Sequence, residues 1–137
     1  NYIGFNKDKF QSFRNIKDNR PLHMLNLVQL KKRVTYPNGE VITGKEAYQR
    51  YGEESELIFN KLGGSIVWRG DMLLGLIGPV EEKWDICFIA EYPDVDAFVS
   101  MQKNPTYRQA VENRQIAVKT SRLIRMAPKL FGKNFSS

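Results

Sequence analysis

The amino-acid sequence predicts an α+β fold: a split βαββαβ unit on an antiparallel sheet, lengthened by an N-terminal helix and a β-hairpin. Three observations predict it. Two long stretches place apolar residues at helical spacing, four short stretches read as strands, and they follow one another as strand, helix, strand, strand, helix, strand. At 137 residues and 15.9 kDa the chain fits one domain. Within it, residues 1–20 form a helical extension, 21–128 the core and 129–137 a tail.

Asp8 to Asn19 carries Phe10, Phe13 and Ile16 at helix-like spacing, with Asp8 as the expected N-cap and Asn19-Arg20-Pro21 as the stop. Leu22 to Leu30 is nearly continuous apolar sequence, broken by His23, Asn26 and Gln29, and reads as a central strand covered on both faces. Val34-Thr35-Tyr36 and Val41-Ile42-Thr43 flank Pro37-Asn38-Gly39, the signature of a hairpin projecting from the main sheet. Thr43-x-x-Glu46 is a capping box, and Ala47, Tyr48, Tyr51, Ser55, Ile58, Phe59 and Leu62 then recur every three or four residues until Gly63-Gly64 ends the helix. Ser65 to Leu74 reads as a strand and Gly75 to Lys83 as a loop. Trp84 to Tyr92 alternates, with Trp84, Ile86, Phe88, Ala90 and Tyr92 on one side and Asp85, Cys87, Ile89 and Glu91 on the other. Pro93-Asp94 opens a helix with Ala97, Phe98 and Met101 inward, and Asn104-Pro105 starts the next, with Tyr107, Ala110, Val111, Arg114 and Ala117 on one face. Ser121 to Met126 is the last strand.

Without its additions this order is the ferredoxin-like split unit. Such a sheet has helices on one face only. The other face needs apolar cover, and a second copy of the chain is its natural source, so a homodimer is expected.

Composition excludes several classes. Hydrophobic residues at 42% and charged residues at 26% argue against disorder, and no apolar run approaches the roughly 20 residues of a membrane-spanning helix. One cysteine, Cys87, excludes an intrachain disulfide, and one histidine, His23, leaves no basis for a metal site. Residues 1–33 hold eight basic and two acidic residues, 34–113 seven and thirteen, and 114–137 six and none. The basic excess thus sits at the two ends and is offset by the middle, without a nucleic-acid recognition motif, and no binding of nucleic acid is expected. The polar stretch from Asn1 to Phe10 lacks the apolar core of a secretory signal, and the lone free thiol suits a reducing compartment, so a cytoplasmic location is expected. No phosphate-cradling glycine motif, nucleophile elbow or catalytic triad is legible, and no cofactor is expected.

Several segments together carry a resemblance. His23-Met24-Leu25-Asn26-Leu27-Val28 is followed by Tyr36-Pro37-Asn38-Gly39 and by Thr43-Gly44-Lys45-Glu46-Ala47-Tyr48-Gln49-Arg50-Tyr51. Gly63-Gly64, Trp68-Arg69-Gly70, Trp84-Asp85 and Tyr92-Pro93-Asp94 come next, then Asn104-Pro105-x-Tyr107-Arg108, Arg114 and Ser121-Arg122-Leu123-Ile124. From about Pro21 to Pro128 this pattern resembles the bacterial family called domain of unknown function 1330, of the dimeric α/β-barrel superfamily. The resemblance implies a homodimer whose sheets face each other and enclose a cavity; it implies no reaction. It also makes the N-terminal helix and the hairpin additions to the minimal family domain.

Arg114 on an apolar helix face and Arg122 in an apolar strand each need a carboxylate, carbonyls or an anionic ligand. Asp85 and Glu91 are the available acidic partners, so each Arg is either half of a structural pair or a clamp for a ligand carboxylate. Asn26 must be bonded, either to a neighbouring strand or to something in a cavity. His23 points to the opposite side of that strand. Trp68 and Trp84 line a pocket wall or fill the core, and Tyr48 stands at the rim. The expected site is a cavity beside the sheet with Asn26, Trp68, Trp84, Asp85, Arg114 and Arg122, and with Tyr48 and His23 near its edge; strand alternation allows only one of Trp84 and Asp85 to enter it. The leading reading is a binder of a small anionic or aromatic molecule. A cofactor-independent monooxygenase, drawing on Asn26, Trp68, Trp84 and His23, is the alternative, and a non-catalytic assembly or stress-related module with a filled interior is the third.

Overall fold

The computed structural model describes residues 2–136. Its elements are α1 (Lys7–Asn15), β1 (Leu22–Leu30), β2 (Arg33–Thr35), β3 (Val41–Thr43), α2 (Gly44–Lys61), β4 (Ser65–Gly70), β5 (Ile86–Tyr92), α3 (Val95–Lys103), α4 (Pro105–Ala117) and β6 (Val118–Met126). The main sheet runs β4-β5-β1-β6, all pairs antiparallel, which is the strand order of the ferredoxin-like unit.

Alternation along β1 decides which face is core. Leu22, Met24, Asn26 and Val28 are buried under the helices, whereas His23, Leu25, Leu27 and Gln29 are only partly covered. Register extends this division across the sheet: Tyr92, Ala90, Phe88 and Ile86 share the helix side, as do Ser121, Leu123 and Arg125. The larger core cluster joins Leu22, Met24, Ala90 and Tyr92 of the sheet to Phe98, Met101 and Tyr107 of the helices. The opposite face carries no helix, and Trp68, Ile124 and Met126 remain about half exposed on it.

Helix ends follow the expected chemistry, with one shift. The Thr43–Glu46 capping box forms, Asp94 caps α3 and Asn104 caps α4 with Pro105 at its first position. At the C-terminus of α2, Gly63 adopts φ +82° and the Gly64 N–H returns to the Phe59 carbonyl at 2.9 Å. In α1, however, Asn6 rather than Asp8 is the cap: its carboxamide oxygen accepts from the N–H groups of Asp8 and Lys9.

Strand limits differ more. β4 stops at Gly70 rather than Leu74 and contains a register shift between Ile66 and Trp68. β5 begins at Ile86, so Trp84 precedes the strand, and β6 begins at Val118, directly after α4. The hairpin turns at Gly39, φ +91°, and does not extend the main sheet. It forms a sheet of its own whose Val34 is buried with Ala47 and Ala117, and the Tyr36 hydroxyl donates to Asn113 Oδ1 at 2.5 Å.

The junction between hairpin and α2 passes tightly over the end of β1. A Cβ on Gly44 would lie 1.9 Å from the Lys31 carbonyl oxygen and 2.9 Å from its carbon. Both are backbone atoms and cannot swing aside, so Gly44→Ala is expected to cost about 1–3 kcal/mol, at the upper end of that range. A denaturant midpoint unchanged from wild type would refute this account of the junction.

Candidate functional site

Between the helix-bearing side of the sheet and helices α2 and α4 lies an open cavity of about 2430 Å³. Its volume exceeds the roughly 300–1,000 Å³ of most small-molecule sites. Met24, Asn26, Phe88, Ala90 and Leu123 form its floor; Tyr48, Tyr51 and Phe59 of α2, and Tyr107, Val111 and Arg114 of α4, form its walls. The N-terminal segment from Ile3 to Phe13 borders one side. The cavity exists because the helices cover the sheet unevenly. Over β1 they bury the strand, but Ile66 and Arg69, which share the helix side of β4, stay exposed.

Asn26 is buried at the centre of the floor, where its Nδ2 donates to the Met24 carbonyl at 3.0 Å. Its Oδ1 has no partner among the described residues and opens to the cavity as an acceptor. Arg114 is half-buried. Its Nη1 donates to the Ile3 carbonyl at 2.5 Å and its Nη2 to Ser121 Oγ at 3.3 Å. No carboxylate lies within ion-pairing distance of it among the described residues. Among the described residues its positive charge is therefore met by neutral oxygens alone.

Three tyrosines, Tyr48, Tyr51 and Tyr107, feel this charge, and Tyr92 lines the same cavity. The Tyr51 and Tyr107 hydroxyls are 2.7 Å apart, and the Tyr48 and Tyr51 rings are 5.3 Å apart. Burial pushes the hydroxyls of Tyr48, Tyr51, Tyr92 and Tyr107 well above the ordinary phenol range; the Arg114 charge pulls Tyr48, Tyr51 and Tyr107 back only in part. All four stay protonated at neutral pH. The Tyr51–Tyr107 pair thus has two protons and one mutual bond, which leaves one O–H to donate elsewhere.

The structure brings Asn26, Arg114 and Tyr48 to this cavity and places Asp85 and Arg122 at its border. Asp85 Oδ2 accepts the Leu30 N–H at 2.7 Å, so it caps the end of β1. Arg122 pairs with Leu27 in register, hence its side chain leaves the sheet on the face without helices. There it donates to Glu82 at 3.0 Å and lies between the rings of Tyr2 and Trp84, with centroids at 4.9 and 5.3 Å. Trp84 thus stands beside Arg122. Trp68 faces the same open side as Ile89, and so does His23, whose Nε2 is 2.6 Å from Glu91 Oε2. His23, Trp68 and Trp84 therefore do not converge on Asn26. Tyr51, Tyr107, Ser121, Phe88 and Arg69 also line the cavity, beyond the residues the sequence singles out. The three- and four-residue spacing in α2 marked Tyr51 only as core, and nothing local to Ser121 ties it to Arg114. Among the described residues no group of three His, Cys, Asp or Glu side chains could hold a metal ion, and no helix is long and apolar enough to cross a membrane.

Element order, sheet order and cavity define a ferredoxin-like α+β protein with an open pocket between sheet and helices. The family model described as domain of unknown function DUF1330 matches residues 40–126, and the chain belongs to that family. The match begins inside the hairpin, so β1 lies outside it. In structure the chain is similar to RPA0582, a protein of unknown function from Rhodopseudomonas palustris, at 50% identity and a TM-score of 0.89, covering 94% of this chain and 98% of that one. The methylated RPA0582 protein gives 51% identity and a TM-score of 0.92, with coverage of 96% and 98%. A NIPSNAP-like domain protein from Burkholderia xenovorans, 14% identical with a TM-score of 0.52 over 85% of this chain and 92% of that one, shares the fold alone. No curated protein matches in sequence.

Proposed function

We propose that the chain acts as one domain within a homodimer, and that its cavity binds a small anionic molecule with a flat aromatic part. The observation that carries this reading is Arg114: a half-buried guanidinium with no carboxylate partner among the described residues, facing the same cavity as three tyrosines and the Asn26 amide oxygen. The guanidinium and a tyrosine O–H supply donors for a carboxylate. Asn26 Oδ1 supplies an acceptor for a hydroxyl or N–H, and Phe88 with the tyrosine rings supplies stacking surface. The monooxygenase reading asks Trp68, Trp84 and His23 to join Asn26, and their placement gives it no support. A filled interior would favour an assembly module, and the open cavity favours a binder instead. The half-exposed sheet face supports the second copy.

Titration calorimetry with benzoate, 2-hydroxybenzoate and the neutral analogue benzamide tests the site. Wild type is expected to bind the two carboxylates more tightly than benzamide. Arg114→Met removes a charge-assisted hydrogen bond of about 1.5–3 kcal/mol, so carboxylate affinity should fall by roughly 10- to 150-fold. Asn26→Leu should weaken 2-hydroxybenzoate more than benzoate. The proposal fails if carboxylates and benzamide bind alike, or if both variants lower the melting temperature without a selective loss of carboxylate binding.

A further inference from the structure

Residues 71–85 join β4 to β5, and their base is pinched where the Trp84 N–H meets the Met72 sulfur at 3.2 Å. Beyond that pinch Leu73, Leu74, Leu76, Ile77 and Val80 are 78–96% exposed. Five large aliphatic side chains in eight residues, none of them seated on its own chain, make a surface that water alone does not explain.

We propose that this segment is an exchanged arm: each chain's Leu73–Val80 packs on the helix-free sheet face of a second copy, and receives that copy's arm in return. The inference rests on the homodimer reading above and names the surface that would build it. Three observations identify the occupant. The first is area. Burying a large aliphatic side chain takes roughly 60–120 Å² out of water. Two reciprocal arms therefore supply roughly 600–1,200 Å² of the about 1,600 Å² that a standard stable interface buries, and the sheet face can supply the rest. The second is the apolar strip available to receive an arm, with Leu25, Leu27, Ile89, Ile124 and Trp68 on the face that no helix covers. The third is charge. The arm and its base hold Asp71, Glu81, Glu82 and Asp85 against one Lys83; Glu82 pairs with Arg122 of its own chain and Asp85 with the Leu30 N–H, so Asp71 and Glu81 are the acidic groups left to meet residues 114–137 of a second copy, which hold six basic residues and no acidic one. Since β6 is the edge strand opposite β4, a two-fold pair can set the acidic base of one arm against the basic edge of the other chain.

The only native thiol, Cys87, faces this side of the sheet, in register with Leu27 and Gly70, and makes the test direct. Chains carrying Cys87→Ala with Leu73→Cys, Ile77→Cys or Val80→Cys in turn are mixed with chains that keep Cys87, then oxidised. At least one arm cysteine is expected to give a disulfide-linked pair of twice the chain mass. Separately, Leu73→Ser/Leu76→Ser/Ile77→Ser should keep the wild-type circular dichroism, because the arm makes no core contact, while the dimer dissociation constant rises on the order of a hundredfold or more. A wild-type chain that scatters light as a monomer at micromolar concentration overturns both the homodimer reading and the arm. A wild-type dimer whose dissociation constant is unmoved by the triple substitution, with no cross-linked pair, overturns the arm alone. Monomeric chains that bind anionic phospholipid vesicles through Leu73–Val80 would assign the arm to a membrane surface and overturn it equally.

Discussion

Above pH 10 the protein is expected to unfold in one step together with the ionisation of its tyrosines. Tyr48, Tyr51, Tyr92 and Tyr107 are all held above the ordinary phenol value, chiefly by burial. In the unfolded chain each loses its proton near pH 10, whereas in the folded chain it keeps it. A raised folded value gives stability that is fully present below the unfolded pKa and is lost as pH climbs toward the folded one. Each such tyrosine removes up to about 1.4 kcal/mol per pH unit in that window, and four acting together remove about 5. Against a typical total of about 5–15 kcal/mol, this places alkaline unfolding roughly one to three units above pH 10. Phenolate absorbance and circular dichroism followed through the same titration should change together, and Tyr92→Phe should move the midpoint upward. A smooth phenolate titration with the far-ultraviolet spectrum intact would refute the linkage.

Leu22→Ala is expected to be the most damaging of the single core truncations on β1. Leu22 is 1% exposed, lies opposite Tyr92 in the register and belongs to the cluster that joins sheet to helices. Removing three carbons there leaves a hole walled by aromatic rings that hold one another. Tyr92 sits edge-on to both Phe59 and Phe98, with centroids 5.4 and 5.1 Å away. Such a site collapses poorly, so the loss should be about 3–5 kcal/mol, equivalent to roughly 10–20 °C in melting temperature for a domain of this size. His23→Gln, one residue along on the open face, should cost less than about 1 kcal/mol, because it removes a partly exposed pair. Equal losses at the two positions would mean that the two faces are not distinguished as described.

Most of the fold was legible because its signals are local. The capping box at Thr43, the Asn104-Pro105 start and the Gly63-Gly64 stop are set by residues within one turn of each helix end. Burial in β1 is less direct: its nearly continuous apolar sequence reads as covered on both faces, whereas within one chain only Leu22, Met24, Asn26 and Val28 are buried. Strand limits were less legible, because a strand ends where its neighbour ends. Residues 71–74 are as apolar as a strand but have no partner left once β5 begins at Ile86. The same limit decides Trp84. Alternation puts it beside Ile86, yet outside the ladder nothing enforces alternation, and its ring stacks on Arg122. For the site, residue types were informative and partners were not. An Arg on an apolar helix face signals a need for oxygens, but Ile3 and Ser121 reach Arg114 only through the tertiary fold. Asp85 looked like a ready partner for an Arg and instead ties off the end of β1.

The central position of β1 has a consequence for how the chain is made. Its neighbours, β5 and β6, follow it by some sixty and a hundred residues. Contacts so distant in sequence close large loops before they return any stability, which slows folding. Nor can a growing chain finish the sheet early: Leu22–Leu30 leaves the ribosome about a hundred residues before Val118–Met126 does. At about 5–20 residues per second, this apolar strand spends roughly 5–20 seconds with one edge unpaired. During synthesis it is therefore the segment most open to chaperones and to mispairing with other nascent chains.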